Sequence, residues 1–138
     1  MTFRFSFGDE GQAPSRSVIV SGRALPVAEL HRLECKACPL NSTKALSKDM
    51  PPSGSDRPHV YFIGEGPGEE EDEKNEPFVG KAGRYLKYRV NKIFSKLDVR
   101  FNNTVRTRPP GNRTPTQGEQ ECCRPSLIRD IEKTKRSK

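Results

Sequence analysis

GEGPGEEEDEKNEPFVGKAG, residues 64–83, packs five glycines, two prolines and a run of acids into twenty residues. It lies between an apolar run, His59–Glu65 (HVYFIGE), and a basic, helix-like run, Arg84–Leu97 (RYLKYRVNKIFSKL). Val60 to Ile63 are four consecutive apolar residues, which suits a strand buried on both faces, as in a parallel sheet. After the loop, Ala82, Leu86, Val90, Ile93, Phe94 and Leu97 form one apolar stripe at helical spacing, with Arg84, Lys87, Arg89 and Lys92 opposite. A weaker strand, Val99–Arg106 (VRFNNTVR), completes a βαβ unit with the expected right-handed crossover. A last helix starts near Thr116, where Thr116 and Glu119 have capping-box spacing and Cys123, Leu127 and Ile131 share a face. The expected class is α/β with a short parallel sheet.

In such sheets ligands sit outside the carboxyl ends of the strands, which is where the loop begins. Its glycines do not fit a dinucleotide fingerprint, and no Gly-Lys-Ser/Thr follows as in a phosphate-binding loop. Gly64, Gly66 and Gly68 instead offer bare backbone for close approach of a ligand. Glu65, at the strand end, is placed to position a water or stabilise a developing cation. The competing structural reading is a tight turn beside a solvated acidic patch.

Composition bounds the rest. The 138 residues suggest one domain with a thin core, since only 31% are hydrophobic and none is Trp. No apolar run approaches the roughly 18 residues of a membrane span, and MTFRFSFGDEGQ lacks the apolar stretch of a signal peptide. A cytoplasmic protein is therefore the expectation, and its four cysteines suggest metal, cluster or free thiols before disulfides. The net charge of +7 is unevenly spread: residues 1–80 carry −4 and residues 81–138 carry +11. A basic half suits a polyanion such as nucleic acid, and equally a soluble basic surface. Residues 1–25 read as a polar extension with one short strand at SVIV, and a domain occupies 26–138. A short helix is expected from Pro26 through VAELHRLE, followed by a turn-rich loop over 41–58.

Four blocks, CKACPL, FIGEGPGEEED, EPFVGKAGRYL and NNTVRTRPPGNRTPTQGEQECC, occur in one order over residues 35–123. In these the chain resembles the family 4 uracil-DNA glycosylases, the iron–sulfur class found in bacteria, archaea and some phages. The resemblance implies a partial three-layer αβα fold and removal of uracil from DNA by hydrolysis of the N-glycosidic bond. Such an enzyme flips the base into a pocket, and charge builds on the departing base as the sugar becomes oxocarbenium-like. Glu65 and Glu71 match the family's loop acids, Glu65 being assigned to orienting water or the sugar. Gly66 belongs to the substrate loop, and Phe78 matches the aromatic that stacks on uracil. Asn103 matches the amide that reads its edge, since an amide both donates and accepts. Asn112 matches the loop near DNA, with Arg106, Arg108 and Arg113 expected on phosphates. The acids after Glu71, Asp72 and Glu73, read as the solvated outer wall.

Two departures bear on function. The family holds a 4Fe–4S cluster with four cysteines; Cys35, Cys38 and Cys123 match three, and Thr107 stands at the other position. A hydroxyl is a poor iron ligand beside a thiolate. Cys122 is the candidate substitute, but it points about 100° from Cys123 on a helix, which makes Cys123 the better placed. Zinc or an empty site are the alternatives to the cluster. The resemblance also stops where the family pattern continues for about the same length again, with a histidine motif on the leaving-group side that neither His31 nor His59 matches. Three functions follow: a weak or incomplete glycosylase, alone or completed by another polypeptide or by self-association; a non-catalytic nucleic-acid-binding or replication-associated module, as a truncated remnant; or a small metal-binding protein. An unprotected sheet edge predicts marginal stability or association.

Overall fold

The computed structural model describes residues 17–20, 23–26, 35–36 and 38–135. The expected strand at SVIV is present as β1 (Ser17–Val20). It pairs antiparallel with β2 (Arg23–Pro26) in a hairpin that lies beside the last helix. The helix expected over 27–34 lies outside the described residues.

The central sheet has three strands in the order β3–β5–β4: β3 is Ser53–Gly54, β4 Val60–Gly64 and β5 Val99–Asn103. The expected parallel pair forms, with Val60 opposite Val99 and Gly64 opposite Asn103. The sheet is nevertheless mixed, because β3, inside the stretch read as loop, adds antiparallel to β5 with Ser53 opposite Phe101. β5 is therefore central and β4 an edge strand. That position explains why β4 is not buried on both faces as its apolar run suggested: Ile63 is 48% exposed.

Helices cover both faces of the sheet. The acidic run is not loop but a short helix, α1 (Glu69–Lys74), with four acids in its first turn where the helix dipole favours negative charge. It stops at Asn75 in the left-handed conformation (φ 52°, ψ 40°). α2 (Lys81–Ile93) lies over the Phe62–Phe101 face, whose rings stack with centroids 5.2 Å apart. The inward side of α2 differs from the expected stripe. Gly83 and Val90 are buried, Lys87 reaches over the Phe101 ring at 5.3 Å, and Ile93 is 64% exposed. Gly83 sets this rotation: a Cβ there would stand 2.4 Å from the carbonyl carbon of Phe78, so only glycine lets helix and loop meet.

α3 (Gln117–Thr134) covers the opposite face, giving the partial three-layer αβα arrangement. It opens with the expected capping box: the Thr116 hydroxyl accepts from Glu119 N, and the Glu119 carboxylate accepts from Thr116 N. Its anchor on the sheet is polar. Arg100 donates through Nε and Nη2 to the two carboxylate oxygens of Asp130, both at 2.8 Å, while the Tyr61 hydroxyl donates to the same carboxylate. Burial and the hydrogen bond to Asp130 push the Tyr61 phenol up to about 12. Burial opposes ionisation of Asp130, but the bonds from Arg100 and Tyr61 outweigh it and hold its carboxyl below the usual range.

Candidate nucleotide-binding site at the strand ends

The parallel register carries Gly64 and Asn103 side by side out of the carboxyl end of the sheet. A Cβ on Gly64 would stand 2.4 Å from Asn103 Oδ1 and 2.7 Å from Phe78 Cζ, so the absent side chain is what lets amide and ring converge. Between them opens a pocket of about 250 Å³, lined also by Glu65, Gly66, Glu71 and Leu86. Asn103 is 5% exposed, yet no hydrogen bond within the described residues engages its side-chain amide. A buried amide with unspent donors and acceptors is suited to a planar ligand presenting both.

Phe78 has φ +59°, an outlier for a bulky side chain. Strain of this kind collects at ligand sites, where packing on all sides enforces it. Here the backbone is held over Gly83, and the ring tilts against Phe101 with centroids 5.2 Å apart. The aromatic thus belongs to the core and lines the pocket at once.

The two loop acids differ. Glu65 is exposed at the pocket mouth, its carboxylate engaging no other described residue, while its carbonyl accepts from Val105 N at 3.3 Å. Glu71 is half-buried. Its Oε1 accepts from Gly80 N at 3.0 Å, and a Cβ on Gly68 or Gly80 would fall 2.8–2.9 Å from its carboxylate oxygens. Glu71 thereby ties the first glycine turn to the turn carrying Phe78, a positioning role that sequence spacing did not distinguish from a catalytic one. Asp72 corrects the expectation of a solvated wall. It is 3% exposed and accepts from Leu46 N at 3.0 Å and Ser47 N at 2.8 Å, satisfying a loop that has no other partner for those groups among the described residues. Only Glu73 is exposed as expected.

The arginines separate as well. Arg106 is not brought to the pocket: its Nε donates to the Met50 carbonyl at 2.6 Å and Nη1 pairs with Asp49 at 3.1 Å. Arg113 holds Glu119 through both terminal nitrogens, at 2.9 and 2.6 Å, and those bonds hold the Glu119 carboxyl below its usual range against the cost of burial. Arg108 lines a separate cavity beyond a smaller cleft and donates to Asn112 Oδ1 at 2.7 Å. Asn112 (φ +56°) and Arg113 line that cleft, which shares Glu65 and Gly66 with the pocket.

Behind the loop the cysteines gather. Cys38, Cys122 and Cys123 are buried in one cluster with Leu40 and Val105, and Cys35 lies beside Asp49. Cys122 is fully buried and Cys123 is 4% exposed, so the expected advantage of Cys123 is not seen: the thiol of Cys38 meets both. Thr107 accepts a hydrogen bond from Asp49 N at 3.2 Å. Burial, reinforced by the Asp49 charge, pushes the Cys35 thiol up to about 11. The bond to Cys122 does most to raise Cys38 to a similar value, and the same bond lowers Cys122. Four thiols so placed suit a soft metal or an iron–sulfur centre in donor type and location. They are not a ready-made site, since no three His, Cys, Asp or Glu side chains among the described residues are disposed to hold an ion. Binding would have to displace the thiol protons.

A pocket of about 250 Å³ at the carboxyl ends of a parallel strand pair, walled by an aromatic ring and an open amide, marks an α/β protein with a candidate ligand site at its strand ends. Residues 51–138 match the Uracil DNA glycosylase superfamily, and the chain belongs to that family. It is 40% identical over 101 residues to a type-4 uracil-DNA glycosylase of Archaeoglobus fulgidus, covering 72% of this chain and 50% of that protein. It is 42% identical over 102 residues to that of Thermotoga maritima, covering 72% and 51%. The chain spans about half the length of the curated relatives it matches. Among the described residues no helix is long and apolar enough to cross a membrane.

Proposed function

We propose that this protein acts in the cytoplasm on uracil-containing DNA, releasing uracil by hydrolysis of the N-glycosidic bond. The observation that carries the reading is the convergence of the unspent Asn103 amide and the strained Phe78 over Gly64, with the Glu65 carboxylate at the mouth. The flipped uracil stacks on Phe78, and the Asn103 amide meets O4 and N3–H together. Glu65 orients a water whose oxygen bonds to the sugar's anomeric carbon as the carbon–nitrogen bond breaks. The electron pair leaves with the base. The water's surplus proton passes to the Glu65 carboxylate and from there to solvent or the departing uracil anion. Before that transfer the Glu65 charge offsets the cationic character of the sugar. Glu71 keeps the two turns in register for this.

Two features extend the proposal. α2 turns Tyr85, Tyr88 and Ile93 outward at 66%, 53% and 64% exposure, and Leu86 of the same helix lines the pocket. The occupant proposed for that face is a complementing polypeptide or a second copy of this chain, which would also close the pocket. A bare face of this kind equally serves a module that binds DNA without cleaving it. The thiol cluster is proposed to hold an iron–sulfur cluster, or zinc in its place, with Cys122 supplying the ligand that Thr107 does not. Such a centre would brace the loop between Cys35 and Cys38 against α3.

The test is uracil release from a single-stranded, uracil-containing oligonucleotide by anaerobically purified protein, alone and with the complementary polypeptide. Release that is lost in Glu65→Gln supports the reading. Salt-dependent DNA binding with no release under either condition replaces it with the binding-module reading.

A further inference from the structure

The largest of the described cavities beside this site, about 470 Å³, is not the base pocket. It lies between residues 42–45 and 108–111, and it neighbours the smaller cleft, which in turn neighbours the pocket. Pocket and cleft share Glu65 and Gly66, and cleft and cavity share Pro109. The three lie in succession leading away from the strand ends, with the buried Pro109 between cleft and cavity and the Arg108–Asn112 bond bridging them.

The walls of the cavity are held on both sides. Lys48 donates to the Thr43 carbonyl at 2.6 Å and to its hydroxyl at 3.3 Å, while Asp72 accepts from the next two free amides, Leu46 N and Ser47 N. Asp72 is thereby spent on backbone, although it lines the cavity. Lys44, between these anchors, is exposed and engages no ion pair or hydrogen bond among the described residues. Across from it Arg108 is fixed by Asn112 and lies 3.6 Å from Glu69, leaving its other terminal nitrogen without a hydrogen bond among the described residues. Pro110 is exposed, and a Cβ on Gly111 would meet nothing within 4 Å, so this wall is flat and open.

We propose that this cavity is a second nucleotide subsite for single-stranded DNA. It takes the sugar-phosphate of a nucleotide flanking the flipped one, with Lys44 and Arg108 on its phosphate and Pro110 against its apolar surface. That the flanking nucleotide lies in this direction rests on the uracil reading of the base pocket. A phosphate gripped by one free lysine contributes a salt-dependent increment that does not depend on sequence.

The experiment measures affinity against salt for nested single-stranded oligonucleotides carrying one hydrolysis-resistant, 2′-fluorinated deoxyuridine, extended stepwise on either side. Wild-type protein should gain affinity on extension in one direction only. Lys44→Ala should lose that gain, lower the slope of log K against log salt by about 0.7, and leave the shortest oligonucleotide unaffected. Lys96→Ala, at the opposite end of the sheet between α2 and β5, should change neither. Equal loss at every length, or no loss, overturns the subsite while leaving the uracil reading intact. Thymine oligonucleotides bound as well as uracil ones, with the Lys44 effect retained, overturn the uracil reading and keep the subsite. No binding of any oligonucleotide overturns both.

Discussion

Gly64→Ala separates the geometry of the pocket from its chemistry, because it touches neither carboxylate. The new methyl would stand 2.7 Å from Phe78 Cζ and 2.4 Å from Asn103 Oδ1. Carbon atoms in contact settle near 3.5–4.0 Å, so the ring must withdraw by about 1 Å and the amide by a similar distance. The Phe78 backbone is held over Gly83, so the ring itself must move against Phe101. Overpacking of this kind costs about 1–3 kcal/mol. Alanine in a strand recovers about 0.5–1 kcal/mol relative to glycine, and Gly64 is not among the positive-φ glycines, so no backbone strain is added. The net loss of stability is about 1 kcal/mol, a fall in Tm of about 4 °C for a domain of this size. A misplacement of about 1 Å at a reacting centre costs far more in rate, on the order of 10²-fold. The assay is kcat/KM for uracil release from a single-stranded oligonucleotide, set beside a thermal melt of the same preparation. Wild-type rates in a folded Gly64→Ala protein would refute the argument that Asn103 and Phe78 meet the base across Gly64.

Two further outcomes follow from the polar anchors. The Glu119 carboxyl is held below its usual value in the fold, so its contribution is complete above the unfolded pKa of about 4.3 and disappears as pH falls through the folded value. Glu119→Gln should lower stability by about 2 kcal/mol at pH 7 and flatten the acid limb in urea titrations from pH 6 to 3. An unchanged acid limb would remove the Arg113 pair from the account. If Cys122 supplies the missing ligand, Cys122→Ser should lose metal as fully as Cys123→Ser, read as iron, sulfide and zinc content after anaerobic purification. Full metal content in Cys122→Ser would assign the ligand elsewhere.

The parallel pair β4–β5, the helix between them and the capping box at Thr116 were legible because each rests on local pattern: an apolar run, helical spacing, and a Thr three residues before a Glu. That Glu65, Gly66, Glu71, Phe78 and Asn103 would share a site was expected from the family resemblance carried by GEGPG, PFVG and NNTVR, and they do line one pocket. Asp72 was not legible, because within a run of seven residues containing five acids nothing local marks the one that turns inward to cap residues 46 and 47. Arg106 looked identical to its neighbours Arg108 and Arg113, and only the path of residues 49–50 drew it away.

By itself the sequence determined the succession β4, α2, β5 and α3, the strand-end position of the glycine loop and the types of side chain available there. Tertiary structure decided which of them line one pocket. Register between β4 and β5 set Asn103 beside Gly64, and the contact of Gly83 with the Phe78 backbone rotated α2 away from its apolar stripe. The addition of β3 made β5 central and left β4 at the edge. These outcomes depend on close approach between segments far apart in the chain, where a few tenths of an ångström separate contact from clash and no local preference of the residues encodes the result.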